Sequence, residues 1–335
     1  MHATRRVTFP TFLFALSTLT GAPGCDAPEE DEDLGAIELR PGGGFGCSWC
    51  SSTIGNSPNI NGADLSDINL DIVNSNGTNT TGIKLRPGKT VDGMTFQLTV
   101  DPSTERFVGV DVHNPALTVV SGAAFLGAKI VLEMPDTAQN VQLQISDYAE
   151  GIPSWATNGK PVTAYRAQYV GSLNTLQPLC PTTNPDNQWF TLLLDETYEG
   201  STDTVVARPG SVSLVCVGEA AAKMKLMDYG PNGNRQASPK ERAATLHMIT
   251  GDYCGVGHSF TTSGMHVAWR NNDSTVLPPF KENLLEAKWG PEGALCLNKP
   301  RYADLDEVLT LCPDLPACED TDLGDGVLWR TMLPE

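Results

Sequence analysis

The chain has 335 residues, 22 basic against 40 acidic side chains, and a formal net charge of −18. That length is enough to bury a full hydrophobic core, and two modules are expected from it. So acidic a protein is expected to repel nucleic acid and anionic lipid surfaces, which argues against binding either.

Residues 1–24 read as an export signal. Arg5 and Arg6 form a positive start, and Val7 to Thr20 is apolar but too short to span a bilayer. Ala22-Pro23-Gly24-Cys25 then resembles a bacterial lipobox, in which Cys25 is lipidated and becomes the mature N-terminus. Cell-envelope anchoring to a bacterial membrane (outer membrane or periplasm-facing) is expected, with secretion as the alternative. Arg5-Arg6 hints at the twin-arginine route, although Val7-Thr8-Phe9 departs from that pattern. Cleavage removes Arg5 and Arg6 and no acid, taking the formal charge from −18 to −20. Residues 25–50 follow as a tether, acidic from Asp26 to Asp33 and glycine-rich from Gly42 to Gly46.

The nine cysteines agree with export. Setting Cys25 aside leaves Cys47, Cys50, Cys180, Cys216, Cys254, Cys296, Cys312 and Cys318, an even set that reads as a disulfide framework. Connectivity is open; proximity alone favours Cys47–Cys50, Cys180–Cys216, Cys254–Cys296 and Cys312–Cys318. Cys47-Ser48-Trp49-Cys50 has the spacing of a redox pair, but no βαβ pattern surrounds it, so a structural bridge is expected.

Residues 51–216 read as β. Apolar residues alternate at Ile68, Leu70 and Ile72, at Phe96, Leu98 and Val100, at Val108, Val110 and Val112, and at Val141, Leu143 and Ile145. Further strands are expected over 129–134, 165–170, 189–194 and 212–216. Asn61-Gly62, Asn76-Gly77, Pro87-Gly88, Asp92-Gly93 and Pro209-Gly210 supply turns. The fold class expected is α+β, mainly β: an antiparallel β-sandwich or barrel-like N-terminal module, then a disulfide-stapled mixed α/β C-terminal module over 217–335. Gly82 to Thr90 has the look of a phosphate loop, but five residues separate Gly82 from Gly88 where four are required.

Gly218 to Asp228 predicts a helix closed by Gly230-Pro231. A second helix begins at the capping box Ser238-Pro239-Lys240-Glu241, carries Ala243, Leu246 and Ile249 on one stripe, and stops at Gly251. A glycine-broken loop follows through His258. Val267 to Arg270 reads as a strand and Asp304 to Leu311 as a short acidic helix, with a small loop from Cys312 to Cys318.

Gly251-Asp252-Tyr253-Cys254-Gly255 resembles the Ala-Asp-Tyr-Cys-Gly signature of the ADYC domain family of bacterial envelope proteins. Glu286 to Leu297, with Trp289, Gly293 and Cys296, is similar to that family's second signature, and Lys223 to Pro231 to a further segment. The resemblance covers roughly the last third of the chain. Met224 and Thr245 stand where the family pattern has cysteines, which implies one disulfide removed as a unit. Phe260 stands where the family has a histidine, so a catalytic role of that histidine cannot operate here. The family is of unknown activity.

The remaining chemistry is sparse. His247, Asp252, His258 and His266 offer metal-ligand types, but no H-E-x-x-H is present and the spacing matches no metal motif; no metal or cofactor is expected. Cys254 and His258 can form a thiolate–imidazole pair only if Cys254 is not oxidised. Glu286 and Trp289 can serve a carbohydrate or peptide site, and Glu286 with Glu292 a carboxylate couple; a packed tryptophan beside solvated acids is the simpler reading. The function expected is non-catalytic binding or structural work at the membrane surface, with a membrane partner through lipid on Cys25 and an unknown envelope protein or polymer. The alternative is a secreted or anchored hydrolase of envelope polymers using Asp252, His258, Glu286 and Glu292. The two readings differ in convergence: a hydrolase needs at least two of these groups lining one cleft.

Overall fold

The computed structural model describes residues 59–60, 63–65, 68–69, 82–101, 103–134, 140–170, 175–180, 190–194, 197–199, 204–206, 211–262, 265, 267–276, 284–319 and 326–334. The export signal, Cys25, the tether, Cys47, Cys50, His266 and the turns at Asn61-Gly62, Asn76-Gly77 and Pro209-Gly210 lie outside them.

The fold is mainly β with antiparallel sheets. Three two-residue strands, β1 (Asn59–Ile60), β2 (Ala63–Asp64) and β3 (Ile68–Asn69), precede β4 (Lys84–Lys89), β5 (Thr95–Asp101), β6 (Arg106–Val110) and β7 (Thr118–Ser121). Next come β8 (Lys129–Glu133), the long β9 (Asn140–Ile152) and β10 (Val162–Val170), and β11 (Leu176–Pro178). β12 (Phe190–Leu194), β13 (Thr197–Glu199), β14 (Thr204–Val206) and β15 (Ser211–Cys216) complete the N-terminal β region.

Among the described residues the chain closes a ring in the order β3-β15-β12-β10-β9-β8-β4. β4 returns to β3 through the parallel pair Asn69↔Lys84, so the sheet curls onto itself as a barrel does. β5, β6 and β7 continue from β4 as an antiparallel meander. Pro87-Gly88, expected as a turn, lies inside β4 as a break in register between Arg86 and Lys89. β4 keeps β8 on one side through Lys89↔Lys129, while its other edge pairs with β3 at Lys84 and with β5 at Gly88 and Lys89, so the proline sits where that edge changes partner. Leu85, Leu132, Leu143, Tyr165, Leu193 and Leu214 fill the interior and leave a void of only about 20 Å³. Phe125 stands edge-on to Phe96 at 5.7 Å, and Phe107 lies 4.9 Å from Tyr165.

After Cys216 the chain forms α1 (Ala220–Leu226) and α2 (Pro239–Thr250), then β16 (Ala268–Asn271), β17 (Leu284–Gly290), β18 (Gly293–Leu297), α3 (Leu305–Leu311) and β19 (Trp329–Leu333). The last sheet runs β16-β19-β17-β18. The capping box of α2 forms: Glu241 donates its amide to Ser238 Oγ, and Ser238 donates its own to Glu241 Oε2 at 2.8 Å. Gly251 ends α2 at φ 68°, a left-handed turn that costs glycine nothing. Met224 on α1 and Thr245 on α2 are fully buried. Thr245 Oγ1 accepts the Trp329 indole N–H at 2.9 Å, which gives a buried hydroxyl its partner.

Two hydrophobic clusters result. One lies within the barrel and draws on residues 65–214; the other joins the helices and C-terminal sheet to Ile152, Trp155, Val162, Ala164 and Val215. The ends of β9, β10 and β15 therefore belong to the second core, which reaches back across position 217.

Candidate functional site

The loop after α2 is a knot in which each residue of Asp252-Tyr253-Cys254-Gly255 has a separate physical task. Asp252 is buried; Oδ2 lies 3.0 Å from His247 Nδ1 and accepts the Gly257 N–H at 2.9 Å, while Oδ1 accepts from Val256 at 3.3 Å. The carboxylate folds the loop back onto the helix end.

Tyr253 is stacked on Trp289, centroids 5.2 Å apart, and donates its hydroxyl to Glu286 Oε1 at 2.5 Å. The same hydroxyl accepts the Arg301 backbone N–H at 2.9 Å. Burial, then the Glu286 charge beside it, pushes the Tyr253 phenol well above its usual range, so it stays a donor. Arg301 closes the arrangement with a two-pronged pair to Glu286, Nε–Oε1 2.7 Å and Nη2–Oε2 3.0 Å, and a third bond from Nη1 to the Ile249 carbonyl at 3.2 Å. Both charges are removed from water, and every oxygen of Glu286 is occupied.

Cys254 is bonded to Cys312 at the end of α3, and Cys296 to Cys318. Both pairings replace those expected from proximity, Cys254–Cys296 and Cys312–Cys318. α3 delivers Cys312 to the loop, while the chain beyond it runs beside β18: Leu297 donates to the Pro316 carbonyl at 2.9 Å, and Cys318 to Asn298 Oδ1 at 2.8 Å. Cys180 and Cys216 are joined, as proximity favoured.

Gly255 and Gly293 explain one another. Gly255 has φ 65°, and a Cβ there would lie 2.0 Å from the Glu292 carbonyl oxygen. Gly293 has φ 113°, and a Cβ there would meet Gly255 N and Tyr253 O at 2.8 Å. Ala294 donates to the Tyr253 carbonyl at 2.9 Å. The two signatures are thus two backbones in contact, each with glycine where the other approaches.

This geometry decides where the hydrolase candidates stand. Asp252 and Glu286 are enclosed and engaged, whereas His258 and Glu292 are exposed. Glu286 and Glu292 make no matched carboxylate couple, because one is sealed under Arg301 and the other is solvated. His258 rests edge-on against Phe260, which is itself buried beside Tyr253. Cys254 is oxidised, so no thiolate faces His258. Among the described residues no group of three metal-ligating side chains forms.

An open polar basin of about 430 Å³ lies elsewhere, lined by Thr157, Asn158, Asp228, Arg235, Asp273 and Thr275 together with Asn234 and Glu241. Four segments build it: the bend between β9 and β10, the loop after α1, the first turn of α2, and the turn after β16. Thr157 donates to the Thr275 carbonyl at 2.8 Å, which joins the first segment to the last. Asp228, at φ 67°, accepts the backbone N–H groups of Lys160, Asn234 and Arg235, each at 2.9 Å, and so shapes the loop. Arg235 lies 4.4 Å over the Tyr229 ring and ion-pairs with Asp273 and Glu241. None of the basin residues stood among the sequence candidates; their only trace was the polar, glycine-rich run Asp228 to Gln236, which reads as a turn.

Burial acts to raise Glu241 and Asp273, but donors outweigh it: Ser238 and Arg235 at Glu241, Arg235 and Thr275 at Asp273. Both carboxyls therefore titrate below their usual values. A depressed folded value contributes stability that is complete above the unfolded value, about 4, and is lost as pH falls through the folded one. Urea midpoints are expected to fall from about pH 4 downward, and Asp273→Asn is expected to flatten that fall. An unchanged slope in D273N would contradict the assignment.

The ADYC domain model matches residues 122–303, more than half of the chain, from the segment after β7 to the residues before α3. The chain belongs to the ADYC domain family. The match extends well upstream of the last third in which the sequence motifs lie, taking in β8 to β15. No curated protein and no solved structure matches it.

Proposed function

We propose that this ADYC protein is an envelope lipoprotein, anchored through Cys25, whose folded part is a non-catalytic binding module with the polar basin as its ligand surface. The observation that carries this reading is the division of labour among polar residues. The knot uses Asp252, Tyr253, Glu286 and Arg301 entirely for internal bonds, while the basin presents amide, hydroxyl and carboxylate groups to solvent. Two partly exposed carboxylates, Glu241 and Asp273, face one guanidinium there while Asp228 is buried beneath them, so acceptors are in excess. Such a lining suits the hydroxyl and amine groups of an envelope polymer.

The test uses purified full-length protein with insoluble cell-wall polymer. Co-sedimentation of wild type is expected, with an Asn234→Ala, Asp273→Asn double variant binding about tenfold more weakly, the loss of roughly 1.4 kcal/mol. Wild type that releases soluble fragments, with release lost in His258→Ala or Glu292→Gln, would establish the hydrolase instead.

A further inference from the structure

Lys225, on α1, is buried at 5% exposure and donates through Nζ to a carboxylate oxygen of Glu105 and to the Leu193 carbonyl. Glu105 is equally enclosed, at 4%. It sits in the β5–β6 turn at φ 48°, with its amide bonded to the Asp101 carbonyl at 2.7 Å. The Asp101 carboxylate caps Ser103 and Thr104 and fixes that turn. The other oxygen of Glu105, Oε1, accepts from the Asn232 side-chain amide at 3.3 Å. Lys160 Nζ bonds the Asn232 carbonyl at 2.8 Å and also the Ser103 carbonyl, which holds the asparagine loop against the turn. A buried amine and a primary amide thus share the two oxygens of one carboxylate.

We propose that Lys225 and Asn232 are joined by an isopeptide bond, with Glu105 as its acid–base catalyst. Glu105 Oε2 takes a proton from the Lys225 ammonium, and the freed amine lone pair adds to Asn232 Cγ. The protonated carboxyl group gives a proton to Nδ2 and takes one from Nζ, the Cγ–Nδ2 bond breaks, and neutral ammonia leaves with the bond's electron pair. The products are a secondary amide Nζ–Cγ, a protonated Glu105 and one ammonia; no group is oxidised or reduced and no cofactor takes part. One carboxyl group holds the amine and the amide on its two oxygens, so both proton movements lie on it. The reaction also replaces a buried ion pair by neutral groups, removing the desolvation penalty of two charges. The bond closes residues 225–232 into a ring that contains Asp228, just before Asn234 and Arg235 of the basin.

Mass spectrometry of the full chain after reduction, followed by tryptic mapping, tests this directly. Residues 224–235 are expected as one peptide, one ammonia lighter than its sequence and uncleaved after Lys225. Lys225→Arg and Glu105→Gln are each expected to restore the sequence mass, apart from the substitution itself. Wild type at its sequence mass would overturn the proposal. So would a lighter peptide still cleaved after Lys225, since ring closure at Asn232-Gly233 also expels ammonia but leaves the lysine open to trypsin.

Discussion

Glu286→Ala is expected to destabilise the protein by about 3–5 kcal/mol, because it leaves the Arg301 guanidinium buried without its counter-charge. The carboxylate holds Arg301 through two bonds and the Tyr253 hydroxyl through a third, so one substitution opens all three contacts. Arg301→Met is expected to be comparably harmful, since it strands the carboxylate instead. Removing both charges together, with Glu286→Leu and Arg301→Met, is expected to cost less than the two single changes added. Tyr253→Phe keeps the stack on Trp289 and loses only the hydroxyl, at a cost of about 1–3 kcal/mol. Denaturant unfolding of the set measures all of this. Additive single and double changes would show that Glu286 and Arg301 do not act as a pair.

Cys254→Ser with Cys312→Ser is the second large effect. That bridge closes 58 residues of separation between the signature loop and α3, and its removal is expected to cost about 2–5 kcal/mol. The consequence is local in form: the loop is still tied to the β17–β18 turn through the Tyr253 carbonyl, but α3 loses its covalent attachment. Raised amide hydrogen exchange in α3, with the barrel strands unchanged, is the expected signature. Uniform loosening of the barrel as well would contradict the separation into two cores.

The parts of this fold that are legible in the sequence are those whose causes are local. Ser238 and Glu241 are three residues apart and need only each other, and Gly251 ends the helix by its own conformational freedom. Alternation at Phe96, Leu98, Val141, Leu143 and Ile145 reports strands that turn one face to the barrel core, because each residue acts alone against that core. The β17–β18 hairpin escaped notice for the opposite reason. Glu286 and Lys288 are both buried within it, and charges at inward positions erase the apolar pattern that marks a strand. Glu286 is tolerated there only because Tyr253 and Arg301, 33 and 15 residues away, come to it. The disulfide partners followed the same rule: Cys312 is six positions from Cys318 in sequence, yet α3 carries it to Cys254. Nor could the basin be read, since its residues come from four turns, each of which is ordinary alone. Pro87-Gly88 misleads in a simpler way, because a proline and glycine that mark a turn in isolation also suit a strand that changes partner.

The Asp252–Gly255 loop is held as a structural knot by His247, Glu286 and the Cys254–Cys312 bridge. Non-reducing peptide mapping of the protein from its native membrane fraction tests it most directly. The expected result is Cys254 linked to Cys312, Cys296 to Cys318 and Cys180 to Cys216, with lipid on Cys25. A free thiol at Cys254 would contradict the knot and return Cys254 and His258 to consideration as a catalytic pair.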